Sequence, residues 1–257
     1  MANLVSRQKT LVEHMAANAC LIVRGIDVEA DRARLQGAHD LFLETHTALI
    51  EGDETHGLVK ETNERVLTQL TAVGRAFAPF DMAALDISEG DATEAALSVM
   101  MMQTSALFRA LDRLAGLVER VHIQSKVPAD ILKVLDFAGK QRWLSQKMVR
   151  EACLTGGGMA WAHIRYDLDT TMTEFEARMV ALRDGDRLHG VPMAQDKALI
   201  GALDQAQIYW DEMRPVLEAA ALGKAPDDPG LTLLAKDMTP LLATLNQAVT
   251  IMESASY

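Results

Sequence analysis

Apolar residues along this chain recur every three to four positions, and no stretch alternates convincingly between apolar and polar as a half-buried strand does. That period predicts amphipathic helices, four in each half of the 257 residues. In the first half they run from Leu4 to Arg24, Val28 to Glu51, Leu58 to Phe77 and Asp91 to Gln124. In the second they run from Ala129 to Leu154, Ala160 to Asp184, Met193 to Ala221 and Leu231 to Ser254. Turn residues mark the breaks: Gly52-Asp53, Gly156-Gly157-Gly158, Gly185-Asp186, Gly190-Val191-Pro192 and Pro226-Asp227-Asp228-Pro229-Gly230. Asp91 with Glu94 resembles a capping box, and Pro128 opens the fifth helix where a missing N–H costs nothing. Helices of this length on short loops pack as up-down bundles. The expected fold class is all-α.

The pattern also repeats. Leu4 to Met15 lines up with Phe137 to Met148, and Ala19-Cys20-Leu21 with Ala152-Cys153-Leu154. Further on, Ala48 to Gly57 lines up with Ala181 to Gly190. Gln8 against Gln141 and Gly52 against Gly185 give the same offset of 133, so no net insertion separates the two anchors. Phe42 against Phe175 and Phe77 against Trp210 keep that register, and Leu107 to Asp112 meets Leu241 to Asn246 after one gap. Two anchors at one spacing indicate a tandem duplication. The chain is therefore expected to fold as two bundles, 1–126 and 127–257, each long enough to bury its own core. The boundary near Ser125-Lys126-Val127-Pro128 is too short and apolar for a floppy linker, so the fourth helix is expected to run almost directly into the fifth as a rod-like pair.

Composition narrows the functional classes. Aromatic residues make up only 5% while Ala, Leu and Met abound, which favours helix over sheet. A net charge of −11 argues against a nucleic-acid surface and against docking on an anionic membrane. No apolar run reaches the roughly 18 residues of a membrane span. Met1-Ala2-Asn3-Leu4 has no basic region followed by an apolar core, so no signal peptide is read. The first copy nevertheless lacks the helical lead-in Pro128 to Leu135 of the second, as a processed N-terminus would. The compartment is periplasmic on that reading and cytoplasmic if the sequence is the native full length.

The fifth helix carries the candidate chemistry. Its seam reads Ile131, Leu135, Ala138, Arg142, Ser145, Val149, Ala152, in alternating steps of four and three that face one partner. The neighbouring stripe, Val134, Phe137, Gln141, Leu144, Met148, carries one amide. In the first repeat the same stripes read Val5, Lys9, Val12, Ala16, Ala19 and Leu4, Gln8, Leu11, Met15. A cation beside a Gln thus recurs on a packed seam, where a charge is costly unless something satisfies it. Either Arg142 and Lys9 pair with carboxylates or reach solvent at a bundle edge, or they hold a small anion, for which Arg offers a planar donor fork.

Ala138 to Met148 resembles the AGRQRMLSQRM signature of the PilJ-type domain, the N-terminal sensory domain of type IV pili methyl-accepting chemotaxis transducers. That domain is related to the periplasmic domain of nitrate/nitrite sensor kinases. The family's downstream L-x-x-L-x-x-G-D and Trp helix are matched by Met179 to Asp186 and by Trp210, with Phe77 in place of Trp in the first copy. The resemblance implies that Arg142, and Lys9 in the first copy, occupy the place of an anion-binding Arg that works between equivalent first helices. A tandem chain would build that pseudo-twofold site from Arg142, Lys9, Gln141, Gln8 and Ser145. Lys9 for Arg, Val12 for the motif Ser and Trp143 for Met depart from the signature.

Other residues point to no chemistry of their own. His56 and His189, in Asp-x-x-His-Gly, follow helix-stopping glycines and read as loop and cap residues. The Glu-x-x-His pairs of a di-iron bundle are missing. Cys20 and Cys153 are repeat-equivalent and read as buried free thiols, with a disulfide geometrically open if the first helices meet. Met100-Met101-Met102 reads as core filling, and no catalytic motif, metal set or cofactor loop is present. The expectation is a non-enzymatic sensory protein that binds a nitrate/nitrite-like anion and hands its state to a sensor kinase or chemotaxis transducer, with a homodimer compatible. The alternative is a structural or adaptor bundle with no small ligand.

Overall fold

The computed structural model describes residues 1–123, 129–157 and 163–254. The junction Ser125 to Pro128, the helix end at Gln124, Gly158 and the helix start at Ala160 lie outside the described residues. The chain divides into two compact units, Met1–Lys126 and Val127–Tyr257. The first holds α1 (Ala2–Val23), α2 (Val28–Glu51), α3 (Glu64–Glu89) and α4 (Glu94–Val118). The second holds α5 (Ala129–Leu154), α6 (Ile164–Asp184), α7 (Lys197–Ala221) and α8 (Asp228–Ser254). Among the described residues there is no β-strand, only single bridges between Asp53 and Leu58 and between Asp186 and Val191. Those two bridges occupy the same place in the two repeats.

Each unit is an up-down four-helix bundle with one packing order. In the first, α1 packs on α2 and α4, α2 on α3 and α3 on α4, with α1 also reaching α3 across the core. In the second, α5 to α8 repeat that order, and α5 reaches α7. The aromatic pairs keep the repeat register: Phe42 and Phe77 stack with centroids 4.0 Å apart, and Phe175 and Trp210 meet at 5.0 Å. All four are buried.

Several helix limits differ from the pattern, α8 among them, which starts at Asp228 where Leu231 was expected. α3 was expected from Leu58 to Phe77, but Leu58 is held in the bridge to Asp53 and the helix starts after Asn63, whose side chain accepts from the Arg65 and Val66 amides. It then continues through Pro79 to Glu89. Pro79 removes one donor, yet Phe77, Phe80, Ala84 and Ile87 share a buried face that carries the helix past it. α7 starts four residues later than its apolar pattern, because Asp196 accepts from the Leu199 amide and fixes the cap there. α4 is capped by Thr93, which accepts from the Ala96 amide, and not by Asp91. Gly90 at φ 127 ends α3, so Asp91 still belongs to the turn.

Candidate functional site

α1 and α5 are the helices on which sequence placed the site, and both bury polar groups. Gln8, Glu13, His14 and Asn18 of α1 are buried, as are Gln141, Arg142, Ser145, Gln146 and Glu151 of α5. Such groups persist in a bundle only where neighbouring helices supply partners. Gln141 donates to the carbonyl of Phe175 on α6 at 2.9 Å, and Gln8 donates to the carbonyl of Phe42 on α2 at 3.5 Å. The two bonds are repeat-equivalent. The amide oxygens of both glutamines are buried with no hydrogen-bond partner.

The two seam cations meet equivalent places on the fourth helix of their own bundles. Lys9 forms an ion pair with Asp112 of α4; the lysine side chain is 13% exposed and the carboxylate 61%. Arg142 is 3% exposed and donates from a terminal guanidinium nitrogen to Oδ1 of Asn246 on α8 at 3.4 Å. Asp112 and Asn246 occupy matching positions once the single gap in the repeat is allowed. A carboxylate faces the cation in the first unit and an amide faces it in the second. Neither partner was singled out from sequence, although the pairing of Leu107 to Asp112 with Leu241 to Asn246 already held the signal.

Beside Arg142, Ser145 and Gln146 are engaged. The Ser145 hydroxyl donates to the carbonyl of Arg142 at 2.7 Å. Gln146 donates to Ser145 Oγ at 3.0 Å and to the carbonyl of Met238 on α8 at 3.1 Å. Gln141, Arg142 and Ser145 are thus brought together on α5, but Gln141 and Ser145 spend their donors on backbone carbonyls. Two clefts of this unit open elsewhere, one near Leu199 and one near Tyr166.

The other candidates resolve into local structure. His189 hydrogen-bonds the carboxylate of Asp186, and this bond, with amides of His189 and Leu188, holds that half-buried carboxyl below its ordinary range. The side chain of His56 lies outside the described residues. No group of three or more His, Cys, Asp or Glu that could hold a metal ion occurs among the described residues. Cys20 and Cys153 are buried at 1% and 0% exposure, but neither is a free thiol, which corrects that expectation. Among the described residues no helix is long and apolar enough to cross a membrane.

No protein-family model matches this chain, and no curated protein matches it either. The likeness to PilJ-type domains therefore rests on the motif residues alone.

Proposed function

We propose that this chain is a non-enzymatic sensory module of PilJ-like character, whose second bundle binds a small oxyanion at Arg142 and whose state is read by a signalling partner. The observation that carries the reading is the unequal pair Lys9–Asp112 and Arg142–Asn246. In the first unit the place opposite the cation on the fourth helix holds a carboxylate. In the second, Asn246 can turn its amide so that Nδ2 joins the guanidinium as a donor. An amide and a planar guanidinium suit nitrate, nitrite or a small carboxylate. The motif resemblance adds support, since Arg142 holds the signature Arg position. The absence of free thiols fits an oxidising, extracytoplasmic compartment, where disulfides persist.

One set of observations favours the adaptor reading: Lys9 is already neutralised, and Gln141 and Ser145 serve backbone carbonyls. Thermal melts at constant ionic strength separate the two. Nitrate, nitrite, chloride and acetate are compared on the intact chain. At a hundredfold excess over Kd a true ligand stabilises by about 2.7 kcal/mol, which raises Tm by several degrees. Arg142→Ala abolishes the rise, while Lys140→Ala, at a half-buried position paired with Asp136, keeps it. Asn246→Asp puts opposite Arg142 the carboxylate that Lys9 faces, so it also abolishes the rise and increases Tm without any anion. If no anion shifts the wild type, or Asn246→Asp responds as wild type does, the adaptor reading stands instead.

A further inference from the structure

Repeat-equivalent ends of the two bundles are finished differently. In the first unit α4 runs on into a π-helical turn, Glu119–Ile123, whose His122 places Nε2 2.8 Å from Oε2 of Glu61. Glu61 is 4% exposed, and its other oxygen accepts from the amides of Thr62 and Asn63 at 2.8 and 2.7 Å. Burial alone would raise this carboxyl, but the Asn63 amide and the imidazole outweigh burial and hold it below its ordinary value. The turn is thereby tied across the bundle end to the loop before α3.

In the second unit the residue 133 positions after Glu61 is Ala194, and α8 stays α-helical to Ser254. Where the first unit has the tie, the second has a cleft of about 210 Å³. Ile131 and Leu135 of α5, Met193 and Ala194 of the loop, Leu199 of α7 and Met252 of α8 form its walls. We propose that this cleft is a binding site for a small, uncharged, apolar molecule about the size of a substituted benzene ring.

The volume and the wall chemistry carry the assignment. Apolar cavities of about 150 Å³ already accept benzene. Met193, 59% exposed at the rim, and buried Met252 are flexible walls that adapt to a ligand's outline. Asp196 also borders the cleft, but its carboxylate accepts from the Leu199 amide at 2.8 Å and caps α7. A charged ligand would leave water for carbon walls, a transfer that is costly without a partner. Arg142 is not among the cleft residues, so this site is independent of the anion reading.

Methyl NMR of the intact chain, with Met193 and Met252 assigned by substitution, reads the site directly. Toluene and indole serve as neutral probes, with benzoate and benzylamine as charged matches. The two methionine methyls shift saturably with a neutral probe and not with the charged ones. Ala194→Phe puts a ring into the cleft from a loop position and removes the response, with circular dichroism confirming the fold. Should that variant misfold, Met193→Glu at the exposed rim weakens binding at least tenfold. The site does not exist if neither neutral probe shifts Met193 and Met252, if charged probes bind as well, or if a folded variant of either kind binds like wild type. Arg142→Ala leaves the apolar response unchanged, so loss of one site is distinguishable from loss of the other.

Discussion

Replacing Asp31 with Asn should stabilise the first unit at neutral pH and do nothing, or slightly harm it, in acid. Asp31 sits in the first turn of α2 with a fully buried side chain, and one carboxylate oxygen has no hydrogen-bond partner. Burial raises its pKa from 3.8 to about 6, against the opposing hydrogen bond and charge of Arg34. The folded state therefore binds this proton more tightly than the unfolded chain. Stability from this group is greatest below the unfolded value and falls as pH rises through the folded one. From pH 3.8 to 6 the loss amounts to about 3 kcal/mol, at roughly 1.4 kcal/mol per pH unit. The variant escapes that loss but gives up the hydrogen bond to Arg34, worth about 1–2 kcal/mol. Its net gain is about 1–2 kcal/mol at pH 7.5. Urea melts at pH 4 and 7.5, followed by far-UV circular dichroism, measure it, since all three Trp residues lie in the second half. Carboxyls held low, such as Glu61, push the wild-type curve the other way in acid, so the difference between variant and wild type is the diagnostic quantity. A difference that does not change with pH would refute the argument.

Gly52 and Gly185 close the loops after α2 and α6 at φ 84° and 83°, and an added Cβ would meet backbone atoms of Lys60 at 2.6 Å and of Met193 at 2.8 Å. Gly52→Ala and Gly185→Ala each destabilise their unit by about 2 kcal/mol or more in urea melts, while Gly37→Ala, mid-helix with open space around it, is neutral or stabilising. For the cysteines, the denatured chain takes up no maleimide until it is reduced and two per chain afterwards; labelling without reductant would contradict the oxidised state.

Most of the fold could be read from spacing, because helical periodicity and the 133-residue offset are both properties of linear order. Limits set by side-chain capping were less legible. Asn63 and Asp196 move two helix starts several residues beyond the apolar pattern, and a cap of one residue leaves little trace in hydrophobicity. Pro79 misled in the opposite direction, since the buried face from Phe77 to Ile87 outweighs the one donor that proline removes. The seam cations could be located from sequence, but their partners lie more than a hundred residues away on the fourth helices, where only the register between repeats could have named them.

The duplication also separates what the bundle needs from what each copy has made its own. Two of the residues that both copies keep serve backbone: Gln8 and Gln141 satisfy the carbonyls of Phe42 and Phe175, and Asp53 and Asp186 close the same bridged loop. These roles depend on helix spacing, which both bundles share, so neither copy could drop them cheaply. At two positions where the copies differ, a charge present in the first is lost in the second. Asp112 gives way to Asn246 opposite the seam cation, and Glu61 gives way to Ala194 at the bundle end. Each loss removes the partner that closes a position in the first unit, the ion pair at Lys9 and the tie to His122. A bundle kept only as scaffold would be expected to retain the second of these closures, since its loss leaves an open cleft to be compensated. Both losses fall in the second unit. That asymmetry is the reason to look for ligands there and to treat the first unit as the closed copy.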